Sequence, residues 1–186
     1  KHRRRKRLLA QPFPASYRTI LQNRVGFYIA LGDKEKKRFE DMVILFLSET
    51  RITGIQTEID DEIRILVASS GIIPVFNFAG WEYFNLGEIL IVPDSWKPDH
   101  SLIGGVTLGH VQGFQNHQLM RLSKVALEKG FSSLQDRTNV GIHEFAHVLD
   151  DADGVIDGVP SAFIPKDLIE QWKAVTHKEI EKIRHG

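Results

Sequence analysis

Residues 136–149 read DRTNVGIHEFAHVL, and at their centre stands His143-Glu144-Phe145-Ala146-His147. Val140, Ile142, Phe145, Ala146 and Leu149 recur at helical spacing and form an apolar stripe. The stretch is therefore expected to be an amphipathic helix anchored to a core. Asp136 or Thr138 is the expected cap at its start. Asp150-Asp151-Ala152-Asp153-Gly154 is the expected end. Residues four apart share a helix face, so His143 and His147 project side by side and can hold one zinc ion. Glu144 leaves the helix at a different angle, beside the metal rather than as a close ligand. There it can take a proton from an activated water and pass it to a leaving amine. Three residue types thus match the three jobs of a metallopeptidase site, with Zn2+ as cofactor and a peptide as substrate.

Two imidazoles and a water leave zinc one protein ligand short. The metzincin pattern needs a Gly and then a His soon after the second histidine, and residues 148–157 lack that arrangement. Asp150, Asp151, Asp153 and Asp157 are donors of the right type, but they read as a helix end and loop. A calcium-loop reading of 151–162 fails because Ile156 stands where Gly is required. Glu170, His177, Glu179 and Glu181 fall on a later helix and read as surface. His100, His110 and His117 read as exposed loop positions. Trp81, Tyr83, Phe84 and Trp96 read as core rather than as a ligand platform.

Working outward, Tyr17, Ile20, Leu21 and Arg24-Val25 suggest a short helix. Asp33 is the expected cap of a second one, with Phe39, Met42, Val43, Phe46 and Leu47 on one side. Arg51 to Glu58 alternates as a strand. Asp60 to Ile73 reads as a helix capped by Asp60 or Asp61. Glu88 to Val92 (EILIV) is a strand bounded by Gly87 and Pro93. A further strand is expected within Gly105–His110 and another over Gln118–Lys124. Val125–Lys129 reads as a short helix ended by Gly130. Asp167–Arg184 closes the series as a last helix, with Leu168, Trp172, Val175, Ile180 and Ile183 as its apolar stripe. Helices and strands are interspersed, which places the chain in the α+β class.

Composition narrows the field. The 186 residues are expected to form one domain over 15–186, preceded by a flexible basic arm at 1–14. Lys1 to Arg7 reads KHRRRKR, while the formal net charge is zero, so no global field draws the chain to nucleic acid. The absence of cysteine excludes a disulfide scaffold, a thiolate metal site and a cysteine nucleophile. The longest apolar run, Met42–Leu47, is far short of the ~18 residues a membrane helix needs. A cytoplasmic location is expected, with a membrane tether upstream of Lys1 as the alternative reading of the basic arm. Phosphate-binding, dinucleotide and Gly-x-Ser-x-Gly motifs are absent.

The stretch HEFAHVLDDADG at 143–154, followed by Gly158-Val159-Pro160, resembles the Mlc titration factor A family of zinc peptidases. RRRKRLLAQPFP at 3–14, Phe39–Leu47 and EILIVPDSW at 88–96 are similar to it as well. The resemblance implies a zincin-like fold: a small mixed sheet with the active-site helix packed against it, and N-terminal helices. It implies aminopeptidase-like cleavage of short peptides, with His143 and His147 as ligands and Glu144 as the base. It implies a third ligand, a Glu, downstream of Gly186, with a Tyr shortly before it. On that reading the chain is truncated at its C-terminus and the fragment binds zinc poorly. The resemblance also implies a transcriptional repressor protein as a partner. The competing reading is a binding module that sequesters such a regulator and carries an incomplete zinc site.

Overall fold

The computed structural model describes residues 1–78, 82–84, 86–93, 118–132 and 139–185. The expected strand within Gly105–His110, the histidines at 100, 110 and 117, the tryptophans at 81 and 96, and residues 136–138 lie outside them.

Four helices open the chain: α1 (His2–Leu9), α2 (Ala15–Arg24), α3 (Gly26–Ala30) and α4 (Asp33–Glu49). The expected cap of α4, Asp33, is instead its first helical residue; the cap is Gly32, whose N–H donates to the Glu35 carboxylate at 2.9 Å. The strand β1 (Arg51–Gly54) follows, then α5 (Asp61–Ile72). Of the two candidate caps for α5 it is Asp60 that serves, its Oδ1 accepting from Ile63 N at 2.8 Å. Next come β2 (Leu86–Val92), β3 (Gln118–Ser123), α6 (Lys124–Gly130), α7 (Val140–Asp150) and α8 (Ile169–His185).

The architecture is α+β, built on a three-stranded sheet in the order β1-β2-β3. Among the described residues both strand pairs are parallel, where a mixed sheet was expected. Parallel neighbours need a crossover rather than a hairpin, and between β1 and β2 that crossover is α5. The register puts Ile52, Ile89 and Met120 on one rung, and Ile91 beside Leu122 two residues along. All five are buried, so the period-2 alternation of the strands delivers one continuous apolar face. The α5 helix is buried nearly all round from Ile63 to Ile72, as befits a helix inside the core. Against it pack α2, α4, α6 and α7, and α7 also meets β3. Among the described residues no helix is long and apolar enough to cross a membrane.

The basic segment expected to be a flexible arm is helical. Lys1 and Arg5 lie on the inward edge of α1 and pair with Glu49 and Glu82, Arg5 reaching Glu49 through Nε and Nη2 at 2.6 and 2.5 Å. Arg4 donates to the Ser48 carbonyl at 2.9 Å. Acidic residues far away in sequence thus supply what the local composition lacks, and α1 docks on α4.

A second buried network ties α2, α3 and α4 together. Glu40 is buried and accepts from Arg18 at 2.7 and 2.9 Å and from the Tyr28 hydroxyl at 2.8 Å. Burial raises the Glu40 carboxyl, but the hydrogen bonds from Arg18 and Tyr28 outweigh it and hold it below the ordinary value of 4.5. A carboxylate with a depressed folded-state pKa contributes stability above its unfolded value and loses it as pH falls. Stability is therefore expected to decline below pH 4.5 as Glu40 takes up its proton. Arg18→Met is expected to remove about 2 kcal/mol at pH 7 and to flatten that acid limb. Urea melts of both proteins from pH 3 to 7 check this, and an unchanged acid limb in the variant would refute it.

Candidate active site

The helix that carries the motif is fixed at its start by Asn139. Its Oδ1 accepts from Ile142 N at 3.0 Å, and its Nδ2 donates to the Gly130 carbonyl at 2.8 Å, joining the start of α7 to the end of α6. The cap is thus neither Asp136 nor Thr138. Asparagine is as good a cap as either, and the extended backbone at Asn139 selects it.

One face of α7 crosses α5 very closely. A Cβ on Gly141 would sit 2.2 Å from Ser70 Oγ, and one on Gly71 would sit 2.9 Å from the Phe145 ring. Only glycine at both positions lets the two backbones approach this far. Phe145 is 0% exposed, with its ring 5.0 Å from that of Tyr83 and 5.8 Å from that of Phe46. Tyr83 in turn donates to the Gly71 carbonyl at 2.6 Å. The core reading of Tyr83 holds, whereas Phe84 is 57% exposed and lies against Phe163.

Anchored in this way, α7 presents His143 and His147 together on another side. Their Nε2 atoms lie 3.0 Å apart, and the rings stand nearly perpendicular, at 86°. Two imidazole nitrogens on one tetrahedral ion stand about 3.3 Å apart, from metal–nitrogen bonds of 2.0–2.1 Å. The pair therefore fits a shared metal ion with little movement. Both rings line a cavity of about 680 Å³.

Glu144 follows the helical rotation to a different side. It is 4% exposed and does not line that cavity. Its Oε2 is buried with no hydrogen-bond partner among the described residues. Burial pushes its carboxyl up to about 7. An orphaned buried carboxylate oxygen costs stability, and such a cost is commonly kept where a group has chemical work to do.

The acidic residues after the motif shape the loop. Asp150 Oδ2 accepts from Gly158 N at 3.0 Å, Asp153 accepts from Val155 N at 2.9 Å and from the Ser161 hydroxyl, and Asp157 accepts from Val159 N at 3.0 Å. Among the described residues no third His, Asp or Glu joins the histidine pair in a group able to hold a metal ion. Glu170, Glu179 and Glu181 pair with Lys173, Lys182 and Arg184 along α8, and His177 is exposed there, as expected of a surface.

What sequence reasoning missed is the wall facing the histidines. Phe78, Phe163, Trp172 and Ile180 line the cavity with them. Trp172 stood in the apolar stripe of the last helix, and nothing local distinguishes a cavity wall from a core face.

The whole chain, residues 1–186, matches the model of the glucose-regulated metallo-peptidase M90 family. It is also similar to an uncharacterized protein, slr2042, of Synechocystis sp. (strain ATCC 27184 / PCC 6803 / Kazusa). The two are 26% identical over 190 residues, covering 97% of this chain and 68% of that relative. A metallopeptidase family brings with it the expectation of a metal cofactor.

Proposed function

The chain belongs to the glucose-regulated metallo-peptidase M90 family, and on that premise we propose that it is a zinc-dependent peptidase of aminopeptidase type. In this reading His143 and His147 hold the metal and Glu144 carries the proton. The observation that supports it is the convergence of two Nε2 atoms to 3.0 Å on the helix turn that also bears a buried glutamate. Zinc, when bound by the two imidazoles, would supply a Lewis acid and an activated water.

The chain's own residues do the rest. Asn139, Gly141 and Phe145 fix α7, on which the two Nε2 atoms stand 3.0 Å apart. Glu144 would take a proton from the attacking water and return it to the departing amine nitrogen, which requires its carboxyl to turn from the buried side of α7 toward the histidines.

Chelation tests the reading. Hydrolysis of short peptides is expected to stop when a chelator removes the metal and to return when zinc is restored. His143→Ala is expected to abolish both the activity and its return. Hydrolysis that survives complete metal removal would overturn the proposal.

A further inference from the structure

We propose that the cavity beside the histidine pair is a side-chain pocket for a large apolar residue adjoining the scissile bond, with Trp172 and Phe163 as its specificity-determining residues. The inference rests on the peptidase reading above and adds a substrate class to it.

Size comes first. A cavity of about 680 Å³ lies within the range of small-ligand pockets and holds a leucine or phenylalanine side chain with room for adjoining backbone. Its chemistry comes next. Phe78, Phe163, Trp172 and Ile180 share the wall with the imidazoles, none with a charge. Beyond the histidines the one acid on the wall is Asp150. Its Oδ2 accepts from Gly158 N–H, and its Oδ1 is buried with no hydrogen-bond partner among the described residues. A glutamate side chain entering here would leave water and meet that like charge. An apolar side chain loses nothing and covers aromatic surface.

The wall is also held in place. Trp172 donates its indole N–H to the Gly158 carbonyl at 3.1 Å. Gly158 itself adopts φ 79°, a left-handed conformation that favours glycine, and its N–H is the group held by Asp150. One loop residue thus links the end of α7, which carries the histidines, to the tryptophan on α8. The link matters because none of the described side chains of α8 is fully buried, and Val175 and Ile180 are 61% and 40% exposed. Trp172 is fixed across the cavity on a helix that otherwise packs little, as expected of a ring whose covering partner is a ligand.

Two measurements on the full chain test this. In the first, the indole resonance of Trp172, identified by its loss in Trp172→Phe, is followed while N-acetyl-leucinamide or the α-amide of N-acetyl-glutamate is added. The leucine compound is expected to shift it saturably, and the glutamate compound is not. Equal shifts, or none, would overturn the pocket. In the second, zinc-loaded protein is given peptides that vary on either side of the scissile bond. Leucine and phenylalanine are expected to exceed alanine and glutamate in kcat/KM by about tenfold or more at one position. Trp172→Ala is expected to bring that ratio close to one. An unaltered ratio, even with slower turnover throughout, would count against Trp172 as a specificity residue. If no peptide is cleaved at all, the peptidase reading fails, and the resonance shift alone decides the pocket.

Discussion

Exchanging Glu144 for Gln is expected to lower peptide hydrolysis by about 100- to 10,000-fold, the usual worth of the acid–base role proposed for it. Glutamine matches glutamate in shape and volume, so α7 and its buried face are retained. What it lacks is the ability to accept and return a proton. Zinc content is therefore expected to equal that of the wild type, since the metal is assigned to His143 and His147. A further outcome separates catalytic loss from structural damage. Glu144 is buried and its Oε2 has no partner among the described residues, so a neutral amide relieves the desolvation of the carboxylate. The metal-free variant is expected to melt at or above the wild-type temperature. Activity within a few fold of wild type would end the assignment of Glu144 as proton carrier. Lost activity with a markedly lower melting temperature would instead point to a structural role.

The largest stability effect is expected at Phe145. Its ring is fully buried, packed edge-on against Phe46 and tilted against Tyr83, and seated over Gly71. Phe145→Ala removes that apolar contact and leaves a cavity where α5 and α7 cross. Such truncations cost about 3–5 kcal/mol. For a chain of this size that corresponds to a fall of roughly 10 °C in melting temperature. The consequence extends to the site, because the same helix holds the two imidazoles 3.0 Å apart. Zinc affinity is expected to fall along with stability, whereas Glu144→Gln leaves it unaltered. Calorimetry and a zinc titration on the two variants check the contrast. A melting temperature for Phe145→Ala within 2 °C of wild type, roughly what about 1 kcal/mol is worth, would show that this crossing is not a tightly packed part of the core.

Local pattern was enough for the motif helix and for most of its neighbours. The period of 3.6 across 140–149 placed Phe145 and Leu149 in the core, as the structure has them, whereas Ala146 of the expected stripe is exposed and lines the cavity with the histidines. The strands read at 88–92 and 118–124 and the helix read at 60–73 correspond to Leu86–Val92, Gln118–Ser123 and Asp61–Ile72. Helix starts were harder, because Asp, Thr and Asn are nearly equivalent caps, and backbone geometry alone picked Asn139. The basic segment was misread for a different reason. Six like charges in seven residues repel one another in isolation, and the opposing Glu49 and Glu82 lie more than forty residues away.

By itself, then, the sequence determined which residue types stand together: two histidines four apart with a glutamate between them, on one amphipathic helix. Periodicity is a local property, so a single segment carries it. Only the tertiary structure decided what surrounds them. The parallel sheet, the glycine crossing of α5 and α7, the burial of Glu144 and the aromatic wall at Trp172 all depend on contacts between distant segments. Those contacts follow from filling one shared core, which no single stretch of the chain encodes.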